Sequence, residues 1–194
     1  MKKISPGEKT ALLLFEATAI RKEQIDAYAY SINGALEFLF FWFIIGLTGI
    51  ITGTFILSIF ELTVIVALRS FCGGAHAPTA ASCMITSYIG FVLILWLSRY
   101  YSVIISNMTD MLTAVILTII CVLSPVPCKG KPLSAHQRHK NKLATIIVCY
   151  VIAFIYIYLR HRLYLRFCCI IFLTTSMIVI LQLLELLQNR GDRK

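Results

Sequence analysis

The chain has 194 residues, 59% of them apolar and only 14% charged, with a mean hydropathy of +0.83. A soluble domain is nearer half apolar and a quarter charged, so too little polar surface is present to clothe a water-facing globule. A bilayer core of about 30 Å asks for about 20 apolar residues per helix, and the continuous apolar runs of this chain argue against the alternating pattern of a β-barrel. The formal charge of +9 would suit a nucleic-acid partner, but its distribution between the apolar runs accounts for it by membrane topology, and no nucleic acid is expected.

The first residues, Met1-Lys2-Lys3, have the look of a secretory n-region, but Glu8, Glu16, Arg21, Lys22, Glu23 and Asp26 interrupt any apolar h-region. No cleavage is expected there. Ser5-Pro6-Gly7-Glu8 has capping-box spacing with proline at the first helical position. It predicts an N-terminal interfacial helix running to about Tyr30, an amphipathic segment over 1–30. From Gly34 to Leu68 the chain is apolar for longer than one span needs, and Gly46, Thr48, Gly49, Thr52, Gly53 and Thr54 cluster near its middle. Two spans follow, at about 32–49 and 54–69, joined by a tight turn.

Next comes a distinct polar, glycine-rich segment, RSFCGGAHAPTAASC, over 69–83. A third span is predicted at about 84–98 and a fourth at about 102–123. Ser124 to Lys142 reads as a basic loop carrying Pro125, Pro127, Gly130 and Pro132. The fifth and sixth spans fall at about 143–159 and 164–187, before a polar tail. The fold class is therefore all-α: one polytopic membrane domain over 1–194 with about six transmembrane helices. No internal repeat stands out.

Sorting lysines and arginines by side tests that count. Those before the first span, after the second, in the 124–142 loop and in the tail number 14, whereas only Arg99, Arg160, Arg162 and Arg166 fall on the opposite side. The positive-inside rule assigns the richer side to the cytoplasm. Both termini, the 69–83 segment and the basic loop are then expected on the cytoplasmic face of the cell membrane.

The 69–83 segment holds the residues best suited to chemistry. A cysteine nucleophile needs an imidazole to take its proton before it attacks a carbonyl. His76 and Cys83 lie seven residues apart, about 10 Å along a continuous helix, too far for a hydrogen bond. Pro78 disfavours helical geometry at Ala77, so a bend there would return His76 over the start of the third span. Cys83 would sit near that helix N-terminus, where a thiolate is favoured. Gly73 and Gly74 let backbone approach a substrate closely, and their N–H groups could serve an oxyanion. Arg69 could pair with a carboxylate or cap the second span. On spacing alone, a polar-loop histidine and a packed helical cysteine are the commoner reading, because Cys–His pairs at arbitrary distance are frequent.

Arg69, Gly73-Gly74-Ala75-His76-Ala77 and Cys83, set between two spans, resemble the signature region of the AgrB family, the membrane peptidases of accessory-gene-regulator quorum sensing. The similarity extends to the length, the short N-terminal helix, about six spans and the Pro/Lys loop near 124–133. The resemblance implies a cysteine endopeptidase in which His76 and Cys83 are the catalytic pair. Its substrate would be a short AgrD-like propeptide, cut at its C-terminal side through a thioester acyl-enzyme. An internal cysteine or serine of the propeptide would then capture the acyl group as a thiolactone or lactone. A homodimer is suggested by the resemblance alone, and the third catalytic member stays open.

Other residues carry weaker signals. Glu61 lies inside the second span, where a carboxylate is costly; an interhelical hydrogen bond and a substrate contact are both open. Asp110 and Asn107 suggest packing between helices, and Glu185 an interfacial position. Lys129 and Lys131 could attract an acidic propeptide segment or anionic lipid. Cys128, His136 and His139 do not have a structural zinc spacing, and no metal or cofactor is expected. Most of the seven cysteines read as small buried hydrophobes. The alternatives to a peptidase are a small permease, favoured by Glu61 and Asp110 but lacking matched halves, and a metal enzyme, weakened by the absence of H-E-x-x-H.

Overall fold

A computed structural model describes residues 6–17, 24–73, 80–101, 107–126 and 134–191. Seven helices follow in chain order: α1 (Pro6–Glu16), α2 (Ile25–Ile51), α3 (Phe55–Cys72), α4 (Ala80–Tyr101), α5 (Asn107–Leu123), α6 (Ala135–His161) and α7 (Leu165–Gly191). No strand occurs among the described residues; one isolated parallel bridge joins Gly73 and Val126. Five helices, α2, α3, α4, α6 and α7, are long and apolar enough to cross a membrane, and α5 is a shorter apolar helix. The chain is an all-α, multi-pass membrane protein.

The chain forms two compact units, Met1–Thr48 and Gly49–Lys194. In the first, Gly7 donates its N–H to Asn33 Oδ1 at 2.9 Å and packs on the Ala29 carbonyl of α2. Small residues thus hold the α1 start, while Leu12, Leu13 and Phe15 stay exposed. In the second, α7 packs against α3, α4, α5 and α6, and α3 also packs against α6 and α4. The core where these helices meet is built from Leu68, Cys72, Ile120, Ile152, Tyr156, Cys168, Ile171 and Ile178. The outward residues are large and apolar, among them Ile56, Val122, Phe154 and Ile157. Exposed side chains of this size suit a lipid solvent, where no hydrophobic penalty attaches to them.

Three expectations are corrected. The N-terminal helix does not run unbroken to Tyr30: α1 ends at Glu16, and Ile25 to Tyr30 are already the first turns of α2. The basic stretch 124–142 is not all loop, because α6 begins at Ala135 and carries Arg138, Lys140 and Lys142 on its first turns. Its start is a capping box: Ser134 Oγ accepts from the Gln137 N–H at 3.2 Å while the Gln137 side chain accepts from the Ser134 N–H at 3.1 Å. Glu185 is buried in the bundle and not interfacial. Of the fourth predicted span, 102–106 lie outside the described residues.

Two reversals between spans share one motif. At the end of α2, Gly53 takes φ +66, its N–H bonds to the Ile50 carbonyl at 3.2 Å, and the Thr54 N–H bonds to the Gly49 carbonyl at 2.8 Å. This is a Schellman ending, which satisfies orphan carbonyls that lipid would leave bare. At the end of α6 the same pair of bonds runs from Leu163 to Arg160 at 3.1 Å and from Tyr164 to Leu159 at 2.9 Å, but the left-handed residue is Leu163, φ +61. A leucine there costs about 1–2 kcal/mol relative to a residue in its preferred region. Its side chain is 72% exposed, so little packing depends on it. Leu163→Gly is expected to raise stability by about 1 kcal/mol in denaturant unfolding of the detergent-solubilised protein; an unchanged or lower midpoint would contradict this account.

Candidate active site

The predicted site straddles the α3–α4 connection. Of the residues singled out there, Arg69, Gly73 and Cys83 are described, whereas His76 and Gly74 fall in 74–79, outside the described residues. Lys129, Lys131 and Cys128 fall outside them as well.

Cys83 is the fourth residue of α4 and half-buried. The first four N–H groups of a helix have no intrahelical acceptor, and the Cys83 thiol stands in that first turn. Arg69, on the last turn of α3, donates from Nη1 to Ser87 Oγ at 3.3 Å. Ser87 stands four residues after Cys83, on the same face of α4. The arginine therefore ties the end of α3 to the face of α4 that carries the thiol.

Gly73 ends α3 with φ +70 and ψ −161, a region essentially restricted to glycine. A Cβ at this position would overlap the Val126 carbonyl oxygen, so the absent side chain also permits the backbone bridge to Val126. The preceding carbonyl, of Cys72, is held from two directions. The Val126 N–H donates to it at 3.0 Å, and Gln182 Nε2 of α7 donates to it at 3.3 Å. Gln182 Nε2 also reaches Ser124 Oγ at 2.7 Å. Gln182, Ser124 and Cys72 are all buried, and Gln182 Oε1 has no partner among the described residues. The end of α3, the α5–α6 connection and the last third of α7 thus meet at one peptide.

Beside this junction lies a pocket of about 420 Å³ lined by Ser124, Pro125, Ala135, Arg138, His139 and Lys142, among others. Lys142 Nζ donates to the Cys121 carbonyl and, at 2.9 Å, to that of Val122. It satisfies the exposed end of α5 where the helix dipole is negative. The pocket is basic and borders the same Ser124–Val126 strand of backbone that holds Gly73.

Glu61 is not brought to this junction. It lies eight residues before Arg69, about 12 Å down the helix. Its side chain is fully buried, and both carboxylate oxygens lack a hydrogen-bond partner among the described residues. Neither of the two roles open from sequence is visible there. Asp110 does join helices, as expected: Tyr156 Oη donates to it at 2.7 Å, and Arg160 Nε bonds both its oxygens at 3.2 Å. Among the described residues no cluster of three metal-ligating side chains occurs.

Sequence reasoning missed Gln182, Ser124 and Val126. The available signal was Gln182 itself, a lone amide in the run 165–187, since a polar group inside an apolar span is costly unless paired.

A bundle of apolar helices with a polar, glycine-dependent junction defines a multi-pass membrane protein. The family model for Accessory gene regulator B matches residues 8–184, and the chain belongs to that family. It is similar to the Accessory gene regulator protein B of Staphylococcus carnosus (strain TM300), 30% identical over 95 residues, 49% of each chain. It is also similar to the protein of that name from Staphylococcus haemolyticus (strain JCSC1435), 28% identical over 102 residues, 53% of this chain and 54% of the relative. The aligned stretch spans about half the length of these curated relatives. No solved structure matches.

The junction makes a graded prediction about glycines. Gly73→Ala adds a Cβ against backbone and forces a φ that costs on the order of 1–3 kcal/mol, whereas Gly53→Ala meets only the φ cost because nothing lies within 4 Å of its added Cβ. Unfolding of the purified protein should therefore show a clearly larger loss for Gly73→Ala than for Gly53→Ala. Equal losses would mean that the Gly73–Val126 bridge is dispensable.

Proposed function

We propose that this protein is a membrane cysteine endopeptidase of the accessory gene regulator system, with Cys83 as nucleophile and His76 as base. Its substrate is a short AgrD-like propeptide. The observation that carries the reading is the pairing of family membership with the geometry around Cys83: a thiol in the first turn of α4, faced by the Arg69–Ser87 tie, seven residues after His76 in a segment that begins at the clamped Gly73.

The chemistry follows from the groups present. His76 takes the proton of the Cys83 thiol, and the thiolate adds to the scissile carbonyl. Backbone N–H groups near the start of α4 would receive the oxyanion. The tetrahedral adduct collapses, the C–N bond breaks, and the amine of the C-terminal fragment leaves with the proton from His76. A thioester links the N-terminal fragment to Cys83. A thiol or hydroxyl within that fragment then attacks the thioester, closes a thiolactone or lactone, and returns the Cys83 thiol. Arg69 and the basic pocket of Arg138, His139 and Lys142, with Lys129 and Lys131, supply positive charge for acidic residues of the propeptide. No metal or cofactor enters any step.

The permease alternative loses one of its two supports, because Asp110 is ion-paired with Arg160 and accepts a hydrogen bond from Tyr156. Glu61 remains as a buried carboxyl without an assigned role. The lysine and arginine asymmetry places both termini and the 69–83 segment on the cytoplasmic side in this reading. Reporter fusions at Thr52 and Arg99 should then report the opposite side; cytoplasmic signals at both positions would overturn the orientation.

The catalytic assignment is tested by co-expression with the propeptide from the neighbouring reading frame and mass spectrometry of both chains. Wild-type protein should carry a hydroxylamine-labile peptide adduct, absent in Cys83→Ala. Cys83→Ser should be nearly inactive, since a hydroxyl is far harder to deprotonate, and His76→Ala inactive for want of a base. Cys72→Ala and Cys168→Ala should process normally, both thiols being core packing groups. Normal processing by Cys83→Ala would end the peptidase reading.

A further inference from the structure

We infer that Glu61 is a proton-binding site, loaded from the α2–α3 turn through a column of hydroxyl groups, those of Thr52, Thr54 and Ser58. The inference is independent of the peptidase reading. It gives a ligand, the proton, to a buried carboxyl that the proposed reaction does not use.

The argument starts from the carboxyl itself. Glu61 is fully buried in α3, and neither of its oxygens has a hydrogen-bond partner among the described residues. An ionised carboxylate without a countercharge costs far more inside an apolar bundle than the neutral acid does, so the group carries its proton. The helices packed on α3 are α4, α6 and α7, and their ionisable groups are engaged or placed elsewhere. On α6, Tyr156 and Arg160 bind Asp110, and Cys149 is a core thiol. On α7, Cys168 and Cys169 are core thiols. Arg166 precedes the Phe167 ring that meets Phe60, and its buried Nε has no partner among the described residues. Arg99 is exposed on the last turn of α4. Cys83, Lys142 and Glu185 lie toward the Gly73 end of the bundle.

A buried acid exchanges its proton where groups that both donate and accept lead to water. Thr54 stands at the N-cap of α3, where a threonine hydroxyl ordinarily accepts from the first turn, yet it makes no such bond. Its Oγ1 lies instead 2.6 Å from Thr52 Oγ1 and 3.4 Å from Ser58 Oγ. Exposure falls along this line: Thr52 is exposed, Thr54 half-buried and Ser58 fully buried. Gly49 makes room for the column, since a Cβ there would overlap Ser58 Oγ. Ser58 and Glu61 are both on the buried face of α3. Residues three apart on a helix have Cβ atoms about 5–6 Å from one another, and helical side chains lean back toward the preceding turn. A rotamer change therefore brings the Glu61 carboxyl to the Ser58 hydroxyl. Each hydroxyl donates and accepts, so rotation along the column hands a proton in or out. Beyond Glu61 the buried residues of α3 are apolar as far as Leu68, so the site opens toward the α2–α3 turn alone.

The test uses full-length protein in lipid films, with glutamate isotopically labelled at the side-chain carboxyl, and infrared spectroscopy during transfer from light to heavy water. The difference between wild type and Glu61→Gln isolates the Glu61 band. It should fall at the frequency of a protonated acid and shift on deuteration. Ser58→Ala and Thr54→Val should each slow that shift about tenfold, the rate equivalent of about one hydrogen bond. Thr63→Val removes an exposed α3 hydroxyl bonded to the Ile59 carbonyl and should exchange at the wild-type rate. If Ser58→Ala does not accumulate in membranes, Thr54→Val carries the comparison. A Glu61 band at the carboxylate frequency, as an ion pair with Arg166 would give, would overturn the inference. A wild-type band that does not shift would do the same, as would wild-type exchange rates in both Ser58→Ala and Thr54→Val.

Discussion

The Cys72 carbonyl is the acceptor on which the arrangement of this bundle turns. A helix that ends buried in a bundle leaves carbonyls that water cannot reach. Here two donors arrive from different parts of the chain, the Val126 N–H and the Gln182 amide. Because the first belongs to the α5–α6 connection and the second to α7, satisfying one carbonyl brings three separate segments to one place. The contact requires Gly73 next door, since any side chain there would occupy the position of the Val126 carbonyl. A hydrogen-bonding demand at a helix end thus becomes a constraint on tertiary structure.

The far ends of α5 and α6 are closed by charge. Asp110 stands in the first turn of α5 and Arg160 in the last turn of α6, so each complements the dipole of its own helix before the two meet. With the Tyr156 hydroxyl as a third member, the carboxylate has partners on both oxygens. A groove of about 470 Å³ lies alongside, lined by Thr113, Leu117, Ala153 and Ile157 as well as the ion pair. At their other ends, Lys142 reaches across to the last carbonyls of α5. The same antiparallel pair is thus tied at both ends by polar groups, with apolar packing between them.

Much of this architecture is legible in the sequence, and the exceptions have physical reasons. The helices near 31–51, 55–72, 82–101 and 165–188 agree with the predicted spans within a few residues at most of their ends, because composition alone decides membrane burial. The Thr-Gly-Thr turn was readable because only glycine takes φ +66 without cost. The Leu163 turn has no such marker, and its left-handed residue is visible only in the backbone. The start of α6 was signalled by Ser134-x-x-Gln137, a capping box hidden by the prolines before it and the lysines after it. At the site, the local motif drew attention to Arg69, Gly73, His76 and Cys83. The donors that hold the Cys72–Gly73 peptide, Val126 and Gln182, lie 54 (126 − 72) and 110 residues from Cys72 in sequence, and nothing in spacing or periodicity marks such a meeting.

The two flanks of 74–79 are held by different means, and that difference bears on the reaction proposed above. On one side, Gly73 is fixed through backbone bridging and the Cys72 carbonyl. On the other, α4 is tied to α3 by Arg69 and Ser87 one turn beyond Cys83. A short segment between two fixed ends loses far less conformational entropy on adopting one geometry than a free chain does. Bringing an imidazole to a thiol is a problem of this kind, in which the ordering of groups before reaction lowers the barrier. The contacts that fix Gly73, before that segment, have donors on α7 and in the α5–α6 connection. A bundle that is apolar along its length therefore carries polar bonding at its ends, and at this end the bonds hold both flanks of the candidate segment.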